Sequence, residues 1–199
     1  MKQLSDAMGV TPGTATAMVK HLSERDLVRY LPRKGVSLTP RGRSLALTMI
    51  RRHRLIETFL EQVLGYDWGE VHDDAERLEH AVSERFIHRI DAYLGFPVAD
   101  PHGDPIPSAE GEIAATDSRT MDLQQVGAVV SISRVDASDP GFLELLKDNL
   151  VTPGEVFVLE DRNSLAGTIS LRHRASGRTL VIGMDQGARI YGESRSSQP

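Results

Sequence analysis

The sequence predicts a mostly α-helical N-terminal part carrying a winged helix-turn-helix, followed by a small β-barrel. Three observations predict this. A short helix pattern, a Gly-containing turn and a second helix opening on small polar residues fill residues 2–22. Between residues 40 and 94, apolar side chains recur at helical spacing. From 123 to 192 that period gives way to short strand-like runs spaced by roughly ten residues, the pattern of a small barrel.

Lys2 to Met8 is the short helix, with Leu4 and Met8 four apart, and Gly9-Val10 makes the turn. Thr11 can N-cap the second helix, with Pro12 at its first position. Ala15, Met18, Val19 and Leu22 face inward, leaving Thr14, Thr16, Lys20 and His21 on other faces. An ordinary helical hairpin would share this pattern, but the next segment argues for a wing. Leu27 to Leu31 reads as a strand, Pro32-Arg33-Lys34-Gly35 as a basic turn, and Val36 to Leu38 as the returning strand. Arg33 and Lys34 would reach phosphates, which position a protein on DNA without reading its sequence. Thr11, Gly13, Thr14 and Thr16 lie where such proteins meet base edges, and Lys20 would hold a phosphate.

Thr39-Pro40 caps a long helix reaching about Leu64. Leu45, Met49, Ile56, Phe59, Leu60 and Val63 form its core side, and His53 and Glu57 share a face at i,i+4. Asp67 to Val82 reads as a further helix, with Asp67 as N-cap and Glu70 three residues on. On a wheel of about 100° per residue, Val71, Ala75, Leu78 and Val82 form an apolar stripe bordered by His72, Glu76, Glu79 and His80. Half-buried carboxylates and imidazoles need a partner. A divalent cation is one, and mixed N/O donors suit Mn, Fe, Co, Ni or Zn. A solvated acidic helix edge would give the same row on one helix; two His-x-x-x-Glu pairs on two helices favour ions held between them.

Ser83 to Leu94 makes another helix, with Phe86, Ile87, Ile90 and Leu94 on its apolar side. With the outer apolar residues of the preceding helix, these four are expected to form an isologous two-fold interface. Pro97 to Pro107 holds four prolines and breaks regular structure, and Ser108 to Thr120 is small and polar. Strands are predicted over 126–135, 155–159, 167–172, 179–183 and 188–192, with a short helix from Phe142 to Leu150.

Composition bounds the rest. The chain of 199 residues has no cysteine, which excludes disulfides and thiolate metal sites and fits an intracellular compartment. No run reaches the roughly 18 apolar residues of a membrane span, and no signal-peptide core opens the chain. The net charge of −5 hides an asymmetry: residues 1–52 hold ten Lys/Arg and three Asp/Glu, whereas the other 147 hold 13 and 25. A basic head on an acidic body points to a polyanion for the head.

Six motifs, in order, carry a family resemblance: Thr11-Pro12-Gly13-Thr14-Ala15-Thr16, Leu38-Thr39-Pro40-Arg41-Gly42, Arg52-His53-Arg54-Leu55-Ile56-Glu57, Glu70-Val71-His72-Asp73-Asp74-Ala75-Glu76, Leu78-Glu79-His80-Ala81-Val82-Ser83, and His102-Gly103-Asp104-Pro105-Ile106-Pro107. The chain resembles the diphtheria-toxin-repressor and manganese-transport-regulator family of metal-activated repressors, well over residues 1–115 and loosely over 123–192. The resemblance implies a winged helix-turn-helix DNA-binding domain running into a long helix (1–64), a helical metal-binding and dimerisation domain (65–115), a linker (116–122), an SH3-like, FeoA-like barrel (123–192) and a tail (193–199). It implies that Glu79 and His80 match ligands of the activating site and that His53, Glu57 and His72 match the ancillary site. Glu76 falls where iron-responsive members carry cysteine and manganese-responsive members glutamate, so Mn²⁺ is the expected cofactor and Fe²⁺ the alternative. The implied partners are double-stranded operator DNA and a second copy of the chain, with no membrane and no small-molecule substrate. The implied setting is the cytoplasm, and the implied role is repression of metal-uptake genes.

Two departures stand out. The family opens with a further helix supplying one or two activating-site ligands, whereas this chain starts at Met1, inside the motif, which implies a start assigned too late or a fragment. Some members donate a Glu and a Gln from the SH3-like domain to the ancillary site; here the loose alignment gives Arg134 and Ala137, with Asp136 and Asp139 as nearby carboxylates. Outside this reading stand a structural dimer with a non-functional DNA head, and a His/Glu metalloenzyme. The enzyme would need an open coordination position, a cleft and a poised base. No nucleophile or glycine loop lies near the cluster, and Arg77 stands three before His80, where ferritin-like sites want Glu.

Overall fold

The computed structural model describes residues 2–31 and 35–194. The chain forms two compact units, residues 1–51 with 107–112, and residues 52–106 with 113–199.

In the first unit, α1 (Lys2–Ala7) and α2 (Pro12–Glu24) are joined by a turn through Gly9 at φ 61°. Thr11 caps α2 as the sequence predicts, its Oγ1 accepting the Thr14 amide at 3.2 Å. Strands β1 (Val28–Leu31) and β2 (Gly35–Leu38) pair antiparallel as a hairpin. Its basic tip, Arg33 and Lys34, lies outside the described residues. Helix α3 (Pro40–Leu64) follows. Its start is fixed by Thr39, whose hydroxyl donates to the Asp26 carbonyl at 2.6 Å and accepts the Gly42 amide at 3.0 Å. Gly42 is required by packing, because a Cβ there would run into the Leu27 backbone carbonyl. Ala15, Val19, Val28 and Leu47 are the buried apolar residues of this unit. Leu45, predicted inward, is 49% exposed.

The second unit holds two cores. The helical one is built from Leu55, Ile56 and Leu60 of α3, Val71 and Ala75 of α4 (Val71–Glu79), Ile87 and Ile90 of α5 (Glu84–Tyr93), and Ile106. Helix α4 begins three residues later than the sequence suggests, with Glu70 rather than Asp67 as its N-cap. The Asp67 carboxylate accepts the Gly69 amide at 3.0 Å, and residues 68–70 form a turn before Val71. Ser83 caps α5 by accepting the Phe86 amide.

The second core belongs to an antiparallel sheet of β3 (Arg119–Thr120), β4 (Val129–Val135), β5 (Val156–Asn163), β6 (Thr168–His173), β7 (Thr179–Gly183) and β8 (Ile190–Ser194), in the order β3-β8-β4-β5-β6-β7. Helices α6 (Pro140–Asp148) and α7 (Met184–Gly187) accompany it. Val130, Ile132, Phe142, Leu146, Phe157, Leu159, Ile169, Leu171 and Ile190 fill its core. The architecture is SH3-like. Among the described residues β3 and β7 are the sheet's two ends, and bulges lie at Ile132/Arg134 and Leu159/Asp161, consistent with the predicted SH3-like domain. Among the described residues, no helix is long and apolar enough to cross a membrane.

Candidate metal centre

The centre starts from helix periodicity. His53 and Glu57 lie one turn apart on α3, with Leu55 and Ile56 holding that helix to the core. Val71 and Ala75, both fully buried, seat α4 so that His72 meets them. His53 Nε2 lies 3.0 Å from Glu57 Oε1 and 3.1 Å from His72 Nδ1. His72 Nδ1 lies 3.2 Å from the same Glu57 oxygen. One ligand atom from each of the three lies within 4.8 Å of the others. Glu57 is buried, whereas the His72 side chain is 56% exposed, so the group is open on one side.

Glu79 extends this group. Its Oε2 is 2.7 Å from His53 Nδ1, and its Oε1 is 3.4 Å from His80 Nε2. His53 therefore has a carboxylate at each ring nitrogen. Burial works against the charged ring, but Glu57 and Glu79 outweigh it, and the His53 pKa is raised above 6.5. Burial likewise pushes Glu57 up, yet its contacts with His53, His102 and His72 leave it lowered. Protonated on both nitrogens, the His53 ring would be held between the two carboxylates. Metal ligation through Nε2 would displace that proton and leave Nδ1–H donating to Glu79, an arrangement that fixes the tautomer of a ligating histidine.

A second group was not foreseen from the sequence. Glu57, Asp100 and His102 bring one ligand atom each within 4.8 Å of the others, and all three are buried. The proline-rich stretch is a tight loop closed by the Ala99–Pro105 bridge. Asp100 Oδ1 accepts the amides of His102 and Asp104, both at 2.9 Å. His102 Nε2 donates to the Trp68 carbonyl at 3.0 Å, so the neutral ring offers Nδ1 as its lone pair. Burial, then the charges of Glu57 and Asp104, push the Asp100 pKa up to about 7. The available signal was His102-Gly103-Asp104 between prolines, where a polar loop is built rather than loose.

Of the six predicted ligands, His53, Glu57 and His72 converge, Glu79 joins them through His53, and His80 contacts Glu79. Glu76 is exposed, and among the described residues Glu76, Glu79 and His80 form no three-ligand group. Glu79 instead turns inward to the ring of His53, and no positive partner draws Glu76 in among the described residues. Both groups consist of imidazole nitrogen and carboxylate oxygen, a donor set that fits a hard to borderline divalent ion.

The predicted DNA face lies on α2. Gly13, Thr14 and Lys20 are exposed there, and Thr16 donates to the Pro12 carbonyl. A Cβ on Gly13 would meet only Thr11 Oγ1, at 3.8 Å, so the fold itself does not demand glycine at that position. The predicted dimer residues divide. Phe86 is 45% exposed, but Ile87 and Ile90 are buried in the protomer's own core and Leu94 packs against it. The α5 stripe faces α3 and α4, which the sequence period alone could not distinguish from a face turned to a partner.

Residues 1–36 match the family model of the iron dependent repressor N-terminal DNA binding domain, and residues 39–108 that of the iron dependent repressor metal binding and dimerisation domain. The diphtheria toxin repressor of Corynebacterium glutamicum is 29% identical over 189 residues, spanning 89% of this chain and 81% of that protein. The iron-dependent repressor IdeR of Mycobacterium leprae is 30% identical over 168 residues, spanning 78% and 72%. A solved manganese-dependent transcriptional repressor in complex with manganese superposes with a TM-score of 0.91 at 40% identity, covering 98% of this chain and 90% of that one. With both family domains matched in sequence, this chain belongs to the diphtheria-toxin-repressor family of metal-dependent, DNA-binding transcriptional repressors, which are not enzymes.

Proposed function

We propose that this protein is a manganese-responsive repressor that binds operator DNA as a homodimer when loaded with metal, and that it represses metal-uptake genes in the cytoplasm. The observation that carries the reading is the donor set. His53, Glu57, His72, Glu79 and His80 form one connected array of nitrogen and oxygen atoms, in a chain without cysteine. The manganese complex of the solved relative supports the same ion, whereas the mycobacterial relative is named for iron, which makes Fe²⁺ the second reading. The bound dication would cancel repulsion among these carboxylates. Metal would favour the DNA-competent conformation, and operator DNA would then tighten metal binding by the same factor.

Glu76 is proposed to select the metal as a hard oxygen donor beside Glu79 and His80. By the Irving–Williams order Zn²⁺ should bind at least as tightly as Mn²⁺, so selectivity must lie in coordination number and geometry. Operator binding against free Mn²⁺, Fe²⁺ and Zn²⁺ tests this. Mn²⁺ is expected to activate more fully than Zn²⁺, and Glu76→Cys to shift the response towards Fe²⁺. A native response to Fe²⁺ alone would reject manganese, and an unchanged order in Glu76→Cys would remove Glu76 as selector.

On the DNA side, Thr11, Gly13, Thr14 and Thr16 are proposed to face bases, with Lys20, Arg33 and Lys34 on phosphates. Replacing Arg33 and Lys34 by Ala is expected to weaken binding to every duplex and to lower the salt slope by about two, roughly one per lost phosphate contact. An unchanged slope would reject the wing contacts. For the two-fold interface, exposed Phe86, Tyr93, Phe96 and Val98 replace Ile87 and Ile90 as the proposed apolar surface.

A further inference from the structure

The C-terminal sheet meets the helical part of its unit beside the metal centre. The Asp100–Asp104 loop lies against β4, where the Val135 amide donates to the His102 carbonyl at 2.9 Å. Gly103, at φ 86°, permits this approach, since a Cβ there would strike the Ser133 carbonyl. Next to it, Arg134 stacks its guanidinium 3.6 Å from the Tyr191 ring centroid and donates to Asp104 Oδ1 at 3.1 Å. Arg54 of α3 reaches the same oxygen at 3.3 Å and Asp100 Oδ2 at 3.5 Å. A fixed cation from the sheet thus lies at the edge of the carboxylate cluster.

The sheet's nearby carboxylates are engaged elsewhere. Asp136 accepts the Ser138 amide and pairs with Arg189 at 3.4 Å. Asp139 caps α6 through the Phe142 amide and lies 3.5 Å from the same Arg189. Ala137 packs against the sheet's core. We infer that the C-terminal sheet gives this protein's metal centre no ligand, and that Arg134 instead fastens the sheet to Asp104 whether or not metal is bound. A partly exposed cation–carboxylate link that also stacks on an aromatic ring needs no ion to complete it. The contrast with a metal-made link rests on the proposed metal function; the Arg134 link itself does not.

Amide hydrogen exchange on the full chain tests this, with Mn²⁺ binding measured separately by electron paramagnetic resonance. In the native protein, the Val135 amide is expected to exchange at the same rate, within about twofold, without metal and with saturating Mn²⁺. In metal-free Arg134→Met, Val135 is expected to exchange at least about tenfold faster, while the sheet-internal amides of Ile132 and Leu159 stay protected. Asp104→Asn cuts the same link from the other side and serves if Arg134→Met does not fold. A tenfold or greater rise in Val135 protection on adding Mn²⁺ would overturn metal-independent fastening. Unchanged Val135 exchange in the variant would overturn the role of Arg134. If no Mn²⁺ binds at all, the metal function fails, and the metal-free variant still decides the role of Arg134.

Discussion

Glu57→Gln is expected to lower Mn²⁺ affinity on the order of a hundredfold or more and to abolish metal-dependent operator binding. No other side chain belongs to both ligand groups found among the described residues. It is 3% exposed, and one of its oxygens meets both His53 and His72. Glutamine keeps the shape but presents an amide without charge to a dication. The same variant should also mark the fold's pH profile. Glu57 is lowered on folding, so its contribution is present above its ordinary pKa of 4.5 and is lost as pH falls through its folded value. His53 is raised, so its contribution is full below 6.5 and is lost as pH rises through its folded value. The metal-free variant should therefore lose most stability, relative to the native protein, between about pH 4.5 and 6.5. Denaturant titrations at pH 4, 5.5 and 8 would check this; a loss constant across pH would mean that the pair does not form.

Asp100→Asn is expected to act in the opposite direction on the metal-free fold. Asp100 is 8% exposed, and burial, Glu57 and Asp104 together carry its pKa from 3.8 to about 7. The folded protein therefore holds this proton to higher pH than the unfolded chain. Stability is lost as pH rises from 3.8 through about 7, and the loss is complete above that. At about 1.4 kcal/mol per unit, the rise amounts to about 4 kcal/mol. Asparagine removes the ionisation and keeps an oxygen for the His102 and Asp104 amides, while giving up the pairing with Arg54. The metal-free variant should exceed the native protein in stability at pH 8 by up to about 4 kcal/mol, with the advantage vanishing near pH 4. Mn²⁺ should stabilise the native protein more at pH 8 than at pH 5, and the variant less at both. A pH-independent difference between the metal-free proteins would show that Asp100 is ionised in both states.

Read alone, the sequence determined what periodicity and local turn chemistry encode. The Thr11-Pro12 start of α2, the β1–β2 hairpin, the full span of α3 and the Ser83 cap of α5 all follow from residues close in the chain. So do the i,i+4 pairing of His53 with Glu57 and its meeting with His72, because two apolar stripes facing one core bring their polar borders together. Tertiary structure alone decided which way shared or ambiguous groups turn. Helix α5 has a single apolar stripe, and the protomer's core takes Ile87 and Ile90. Glu79 faces His53 while Glu76 stays in solvent, since the half-buried imidazole takes the carboxylate that can reach it. Asp100 and His102 become a ligand pair because a bridge between distant backbone atoms closes their loop and the Trp68 carbonyl orients the ring. Arg134 is placed by β4 against Asp104, thirty residues earlier in the chain. No local pattern encodes these contacts, because each depends on where a charge finds its partner once the backbone has already folded.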